Sequence, residues 1–223
     1  MSVVIVTGGF GALGRVVVAE LTKRGHKVAA VDVAPAPPDY PAALALGGVD
    51  LADDHAVEAA YVTVVKQLGG LDGLVNIAGG FTWEPIEGGS IESWDKMFRV
   101  NLRTAAASSA AALPYLIRHG GAIVNVGAAG ASPAGTGMAP YAASKAGVRA
   151  LTESLAEELR TKNVRVNAIL PTIIDTPANR AAMPDTDTSG WVRPDAAAKV
   201  IAFLLSDDSG AITGACLPLS RAG

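Results

Sequence analysis

The chain has 223 residues, of which 50% are hydrophobic and 17% charged, and its formal net charge is −3. This length fits one domain, residues 1–223, with a substantial core, and no apolar stretch approaches the roughly 18 residues of a membrane span. The lack of a basic cluster argues against nucleic acid as a partner, the single cysteine excludes an internal disulfide, and the scattered histidines predict no metal site. Because a strand is predicted at the very start, we expect no signal peptide, no membrane attachment and a cytoplasmic location.

The first seventeen residues predict a strand, a glycine-rich turn and a helix. Residues 3–6 are an unbroken apolar run rich in β-branched residues, typical of a strand buried on both faces. In the turn, Gly8 can adopt backbone angles closed to other residues, Gly11 removes a side chain that would hold a phosphate away, and Gly14 lets the helix approach the strand. The helix N-terminus would then bind a pyrophosphate, although a plain tight turn has the same outline. We predict cofactor contacts from Gly8, Gly11, Ala12, Leu13 and Gly14.

Strands and helices alternate from end to end, which predicts an α/β fold with a parallel sheet. The predicted strands span residues 3–6, 27–33, 44–49, 71–77, 122–127, 164–170 and 215–219. Predicted helices follow the glycine turn and span residues 53–67, 90–118, 141–162 and 194–206, the second of these four being interrupted or ended near Pro114. Four prolines lie between residues 34 and 41, so the crossover from the second to the third strand is predicted to be a loop or a single turn.

Asp32 lies at the end of the second predicted strand, eighteen residues after Gly14. A carboxylate at this point can accept hydrogen bonds from both ribose hydroxyls of an adenosine, and it would repel a 2′-phosphate. No Arg or Lys follows within reach. We therefore predict NAD rather than NADP as the cofactor, the alternative being a solvated Asp at a strand end.

The segment Tyr141-Ala142-Ala143-Ser144-Lys145 is the most specific pattern in the chain. Residues four apart on a helix face the same way, which brings Tyr141 and Lys145 together. A nearby ammonium group favours a phenolate, so Lys145 is predicted to lower the pKa of Tyr141 from about 10 towards neutrality. Tyr141 would then serve as a general acid or base. The alternative is an incidental pair on a surface helix.

Together these motifs resemble the short-chain dehydrogenase/reductase family, over essentially the whole chain. The resemblance implies a Rossmann-like doubly wound sheet with strand order 3-2-1-4-5-6-7. It also implies an oxidoreductase that transfers hydride between NAD(H) and a small carbonyl or alcohol substrate. In the family the counterpart of Tyr141 is the general acid/base, that of Lys145 holds the nicotinamide ribose, and that of Asn101 supports a proton-relay water.

The same resemblance implies further cofactor contacts and an oligomer. The implied contacts are Asp50 and Leu51 beside the adenine, Asn76, Ala78 and Gly79 after the fourth strand, Tyr141 and Lys145 on the helix after the fifth, and Pro171 and Thr176 after the sixth. Residues 176–193 should cover the substrate, and because this segment is short and polar we expect a compact molecule. Family members pair two long helices across a two-fold axis. Both helices are rich in alanine here, so we predict a homodimer or homotetramer.

Two departures from the family pattern concern the turn and the active site. The middle glycine of Thr-Gly-x-x-x-Gly-x-Gly is Ala12, and the family's serine, thirteen residues before Tyr141, is Ala128. Either another donor replaces that serine, with Ser132 four residues further on, or the substrate has no carbonyl oxygen to hold.

A local second resemblance bears on this choice. Residues 170–184, Trp191 and the turn from Gly8 to Gly14 resemble dihydropteridine reductases, which use NADH, lack the serine and reduce a C=N system. Three interpretations stay open: a carbonyl/alcohol oxidoreductase, a dihydropteridine-reductase-like enzyme, and an NAD-binding sensor without catalysis.

Overall fold

Seven parallel strands form the central sheet. The computed structural model describes residues 2–221. The strands are β1 (Val3–Thr7), β2 (Lys27–Val31), β3 (Leu44–Leu46), β4 (Gly73–Asn76), β5 (Gly121–Val126), β6 (Val164–Pro171) and β7 (Cys216–Leu219). Their order in the sheet is β3-β2-β1-β4-β5-β6-β7, and every neighbouring pair is parallel. The predicted Rossmann-like doubly wound sheet and its strand order are therefore confirmed.

Helices cover both faces of the sheet and bury one apolar core on each. They are α1 (Ala12–Lys23), α2 (Asp54–Leu68), α3 (Ile91–Met97), α4 (Thr104–His119), α5 (Ala139–Glu158), α6 (Pro177–Ala182) and α7 (Pro194–Leu205). One core joins the sheet to α1 and α7, and the other joins it to α2, α4 and α5. The core strands are apolar on both faces because both faces are covered. Helix α6, within the segment expected to cover the substrate, was not predicted.

Several strands are shorter than the sequence indicated. Strand β2 ends at Val31, where its last partners are Thr7 of β1 and Leu46 of β3. Asp32 therefore lies just beyond the ladder. Helix α5 starts two residues earlier than predicted and ends at Glu158, and a separate 3₁₀ turn, Arg160–Lys162, follows it.

The crossover between β2 and β3 contains no helix, as its prolines predicted. Tyr40 attaches this crossover to the glycine-rich turn: its hydroxyl donates a hydrogen bond to the Gly9 carbonyl oxygen at 2.5 Å. The Tyr40 ring also packs edge-on against Phe10, with 5.0 Å between ring centroids, and the Arg15 guanidinium lies over it. These contacts take the place of the packing that a crossover helix would provide.

The long helix predicted over residues 90–118 is not interrupted at Pro114. Helix α4 continues through Pro114 to His119, and both Pro114 and Ala110, whose carbonyl loses its usual partner, are exposed to water. The irregularity lies earlier, in a π-helical segment, Phe98–Arg103, between α3 and α4. This segment carries Asn101, whose side chain is buried. Such π-helical turns occur often at functional sites.

None of the helices within residues 2–221 has the length and hydropathy needed to cross a membrane.

Candidate active site

The glycine-rich turn leaves the N-terminus of α1 open. Gly8 has a φ of +63°, and a Cβ there would lie 2.8 Å from the Ala78 nitrogen. A Cβ on Gly14 would overlap the carbonyl oxygen of Gly8. The turn closes through a hydrogen bond from the Gly11 N–H to that oxygen at 3.1 Å. No side chain caps α1, so its first N–H groups can bind an anion.

A cavity of about 500 Å³ opens in front of this turn. It brings together most of the predicted cofactor residues: Gly8, Gly11, Ala12, Leu13, Gly14, Asp32, Asp50, Leu51, Ala78 and Gly79. The sequence analysis did not identify six further lining residues: Val33, Ala52, Ile77, Arg99, Val100 and Thr104. Val100 and Thr104 are four apart, and the Thr104 hydroxyl donates to the Val100 carbonyl oxygen at 2.8 Å. Because Val100 and Thr104 are four residues apart on either side of Asn101, the sequence alone could have indicated that both lie on the same side of the helix as the site.

Asp32 is held at the rim of this cavity by two backbone amides. One carboxylate oxygen accepts a hydrogen bond from the Phe10 N–H and the other from the Ala34 N–H, both at 3.0 Å. Each carboxylate oxygen can accept a further hydrogen bond. The side chain is therefore oriented before any ligand binds, and it retains free acceptor positions.

Asp50 is tied to an arginine that sequence reasoning missed. Its carboxylate accepts hydrogen bonds from the Ala52 N–H at 2.9 Å and from Arg99 at 2.6 Å. The Ala52 amide, with Arg99 as a lesser contributor, holds the pKa of the Asp50 carboxyl below its usual value. Because both side chains of this ion pair are about half exposed, the pair contributes little to the free energy of folding. Arg99 nevertheless connects the π-helical segment to the loop after β3 across the cavity mouth.

Lys145 and Tyr141 lie one turn apart on α5, at the far end of the site. The Lys145 ammonium is buried and donates to the Val126 carbonyl oxygen at 2.8 Å. A Cβ on Gly79, a residue of the cavity wall, would lie 3.4 Å from the Lys145 Nζ. Burial lowers the pKa of Lys145 to about 8. The cavity and the ammonium therefore meet at Gly79.

The predicted lowering of the tyrosine pKa is wrong for this structure. Burial raises the pKa of Tyr141 to about 12, because the phenolate loses solvation. The ammonium of Lys145 is hydrogen-bonded to a backbone carbonyl and does not offset this effect. Within residues 2–221, no group hydrogen-bonds to the Tyr141 hydroxyl, so the hydroxyl stays available to a ligand.

Asn101 links three parts of the site. Its Oδ1 accepts from the Gly80 N–H at 2.9 Å, and its Nδ2 donates to the Gly80 carbonyl oxygen at 3.1 Å and to the Ser144 hydroxyl at 3.0 Å. Ser144 in turn donates to the Tyr141 carbonyl oxygen at 2.7 Å. Asn101 therefore fixes the loop after β4 against the helix that carries Tyr141.

Five predicted cofactor residues do not line the cavity, namely Tyr141 and Lys145 on α5 together with Asn76, Pro171 and Thr176. Asn76 is buried in the sheet, where its amide donates to Asn125 at 2.8 Å and to Ser109 at 3.1 Å. Thr176 caps α6 by accepting from the Asn179 N–H at 3.2 Å, and the Pro171 carbonyl oxygen accepts from the Ala129 N–H at 2.9 Å. In this structure Asn76 therefore joins side chains within the fold, and Thr176 and Pro171 accept hydrogen bonds from neighbouring backbone N–H groups.

Comparison with known proteins decides the family. A family model described as short chain dehydrogenase matches residues 2–187. The chain belongs to the short-chain dehydrogenase/reductase family.

Relatives in this family span nearly the whole chain. It is 35% identical to a 4-formylbenzenesulfonate dehydrogenase of Comamonas testosteroni, covering 96% of this chain and 94% of that protein. It is 33% identical to a D-threitol dehydrogenase of Mycolicibacterium smegmatis, covering 96% and 90%. Among solved structures, the ligand-free aldohexose dehydrogenase of Thermoplasma acidophilum superposes with a TM-score of 0.89 at 28% identity, covering 98% of this chain and 92% of that one.

Ala128 is the residue thirteen before Tyr141, where the family pattern predicts a serine. It lies two residues after the end of β5 and is buried, and its carbonyl oxygen accepts from the Ala131 N–H at 3.3 Å. Ser132 lies further along the same loop and is exposed. No hydroxyl on residues 127–131 replaces the missing donor, since those residues are all glycine and alanine.

Proposed function

We propose that this protein is an NAD(H)-dependent oxidoreductase that interconverts a small carbonyl compound and its alcohol. The observation that carries the proposal is the position of Lys145. Its buried ammonium borders Gly79, on the wall of the glycine-lined cavity, and one helical turn away Tyr141 has a hydroxyl that no group of the described chain occupies. The proposed nucleotide site therefore lies next to a side chain that can donate a proton.

Two features of the cavity support a dinucleotide as its ligand. The uncapped N-terminus of α1 and the glycines at 8 and 14, where a Cβ would collide with backbone, suit a pyrophosphate. The oriented Asp32 carboxylate suits the adenosine ribose and would repel a 2′-phosphate, which favours NAD over NADP. Asp50 and Leu51 would border the adenine, and Lys145 would hold the nicotinamide ribose.

The bound nicotinamide would supply or accept the hydride. In the reducing direction Tyr141 donates the proton from its hydroxyl to the substrate oxygen, and its raised pKa keeps it protonated at neutral pH. Lys145, with a pKa of about 8, is then largely charged and stabilises the phenolate that forms. Asn101 fixes the loop at Gly80 against Ser144 on the helix that carries Tyr141 and Lys145, and the second lone pair of its Oδ1 can accept from a relay water.

The relatives support the reaction class more than any substrate. Their names specify a formylbenzenesulfonate, a sugar alcohol and an aldohexose. These substrates share a carbonyl group or an alcohol and little else. For this chain we accordingly propose the carbonyl/alcohol chemistry, a small-molecule substrate, a cytoplasmic location and a homo-oligomeric assembly.

The absence of the serine favours a second candidate, reduction of a C=N system as in dihydropteridine reductases. A donor to a substrate carbonyl oxygen contributes about 3 kcal/mol to a transition state. Ala128 supplies none, and Ser132 is exposed. A substrate whose reacting bond is C=N does not require that donor.

Turnover and cofactor binding together test the proposal. NADH oxidation is followed by absorbance with a panel of small aldehydes and ketones and with a quinonoid dihydropterin. Tyr141→Phe should remove nearly all turnover but leave the NADH dissociation constant unchanged, because the phosphate and ribose contacts lie elsewhere. Tyr115→Phe, on α4 and away from the cavity lining, is the matched control. NADH binding without turnover of any acceptor would instead favour the sensor.

Ala128→Ser separates the two catalytic candidates. On a weakened carbonyl reductase the added hydroxyl should raise activity on simple ketones. On an enzyme for a C=N system it should do nothing or harm. If Ser132→Ala alone abolishes activity, Ser132 supplies the donor and the assignment of Ala128 is overturned.

A further inference from the structure

Two loops meet beside Tyr141, and a tryptophan joins them. Trp83, in the loop after β4, donates its indole N–H to the Thr136 carbonyl oxygen at 2.9 Å, and the neighbouring Glu84 N–H donates to the Gly137 carbonyl oxygen at 2.7 Å. Gly137 has a φ of +71°, and a Cβ on it would overlap the indole ring. The indole therefore lies directly on the backbone of the loop after β5, in one fixed orientation.

Phe81, two residues before this tryptophan in the same loop, contacts the reactive tyrosine. Its ring packs edge-on against the Tyr141 ring, with 4.9 Å between centroids and 76° between planes. The backbone just before it is also held, since both polar groups of Gly80 hydrogen-bond to Asn101. Phe81 is therefore positioned on two sides.

Both aromatic side chains are nevertheless mostly exposed. Phe81 is 58% and Trp83 59% exposed to solvent. Large apolar rings that are held in place yet uncovered offer area to a ligand at little cost in side-chain ordering. Phe81 contacts the ring of Tyr141, and Trp83 lies on the backbone just before the helix that carries Tyr141, which makes the substrate the ligand that would cover them.

The charges of the two loops narrow the kind of substrate. Residues 127–138 carry no charged side chain, and residues 77–90 carry only Glu84 and Glu87. Glu84 is occupied by hydrogen bonds from the Ser90 N–H and the Ser93 hydroxyl. An anionic substrate would find no cation on these loops.

We propose that Phe81 and Trp83 form a subsite for a neutral, planar aromatic ring attached to the reacting carbonyl. This inference rests on the proposed function, because it takes Tyr141 as the group that meets the substrate oxygen. The ring of the substrate packs against the Phe81 and Trp83 rings, where aromatic pairs gain more than their buried area alone would give.

Binding of two matched ketones tests the subsite. Acetophenone and cyclohexyl methyl ketone share the carbonyl and the carbon count and differ in the ring. Dissociation constants are measured by calorimetry with the protein saturated with NAD⁺, which cannot reduce a ketone. We expect acetophenone to bind about fivefold tighter. Phe81→Leu and Trp83→Leu should each bring the two constants within about twofold, whereas Phe203→Leu, on α7 across the sheet, should keep the preference.

The outcomes separate this inference from the proposed function. Equal binding of the two ketones by the unaltered protein, no binding of either, or a preference that survives in both variants overturns the subsite. Trp83→Phe keeps an aromatic ring but loses the bond to Thr136, and it should retain most of the preference. A failure to oxidise NADH with any carbonyl refutes the proposed function, while the binding ratio still decides the subsite, since it involves no turnover.

Discussion

Asp32 is the residue at which we propose that the choice between NAD and NADP is made, and its carboxylate is oriented by two backbone amides at the cavity rim. We expect the unaltered protein to use NADH in preference to NADPH. Asp32→Asn removes the charge that repels a 2′-phosphate and should narrow the ratio of the two kcat/KM values by about tenfold, or about 1.4 kcal/mol. Asp39→Asn removes a charge from the same crossover and should leave the ratio unchanged. Equal use of both cofactors by the unaltered protein would contradict the prediction.

Lys145 should make stability depend on pH in a particular direction. Burial lowers its pKa from 10.5 to about 8. Below pH 8 the folded and unfolded chains both carry the charge, and its burial costs about 3 kcal/mol. Between pH 8 and 10.5 the unfolded chain binds more protons, so this cost disappears as pH rises.

Lys145→Met removes that titration. The free energy of unfolding of the variant, relative to the unaltered protein, should therefore fall by about 2 kcal/mol between pH 7 and pH 10. Urea unfolding of both proteins at the two pH values measures the change. Tyr141 is present in both, so its own titration cancels. A difference that stays constant with pH would mean that Lys145 is not desolvated as described.

At the scale of single residues, the sequence indicated which residues belong to the candidate site but not how deeply each one is buried or what it bonds to. Gly8, Gly14 and Asp32 could be placed because each acts through its own backbone or its position after a strand. The direction of the Tyr141 pKa shift could not, since it depends on how much protein surrounds the phenol. The bond between Arg99 and Asp50 joins residues 49 apart in the chain, and no local pattern signals it.

The turn between β1 and α1 is the element whose geometry leaves least room for change. A methyl group on Gly14 would overlap the Gly8 carbonyl oxygen, which belongs to the backbone and cannot turn aside. Gly14→Ala should therefore weaken NADH binding about tenfold or more and cost about 2 kcal/mol of stability. Fluorescence titration and thermal unfolding measure the two effects. Gly70→Ala, where a Cβ meets nothing within 4 Å, is the control and should be nearly neutral.

Helices, strands and loops were predicted well where the residue pattern was strong. They were predicted poorly where an irregularity of the backbone has no characteristic residues to mark it. The prolines within residues 34–41 indicated that the crossover from β2 to β3 contains no helix, because each proline removes a backbone hydrogen-bond donor. Pro114 indicated a break that does not occur, and both Pro114 and Ala110, whose carbonyl loses its helical partner, lie on an exposed side of α4 where water can replace that bond. The π-helical segment with Asn101 inserts a residue without any glycine or proline to mark it. The consequence of this segment is visible only in the structure, in the hydrogen bonds that Asn101 makes to Gly80 and Ser144.

On the scale of the whole molecule, α4 and α5 lie on one face of the sheet and leave small residues uncovered. Ala110 on α4 and Ala143, Ala146 and Ala150 on α5 are exposed, and Ile117 is 43% exposed. Small side chains let helices approach closely. These surfaces support the proposed pairing of two copies of the chain about a two-fold axis.

The mass in solution tests this pairing. Light scattering at micromolar concentration should give two or four times the 22.5 kDa of one chain. Ala146→Glu places a charge in the proposed interface, where it would be desolvated on association, and should shift the mass towards a single chain. Ala59→Glu makes the same change on the exposed side of α2 and should leave the mass as it was. A single-chain mass for the unaltered protein would refute the assembly and leave the alanine-rich faces of α4 and α5 as plain solvent-exposed surface.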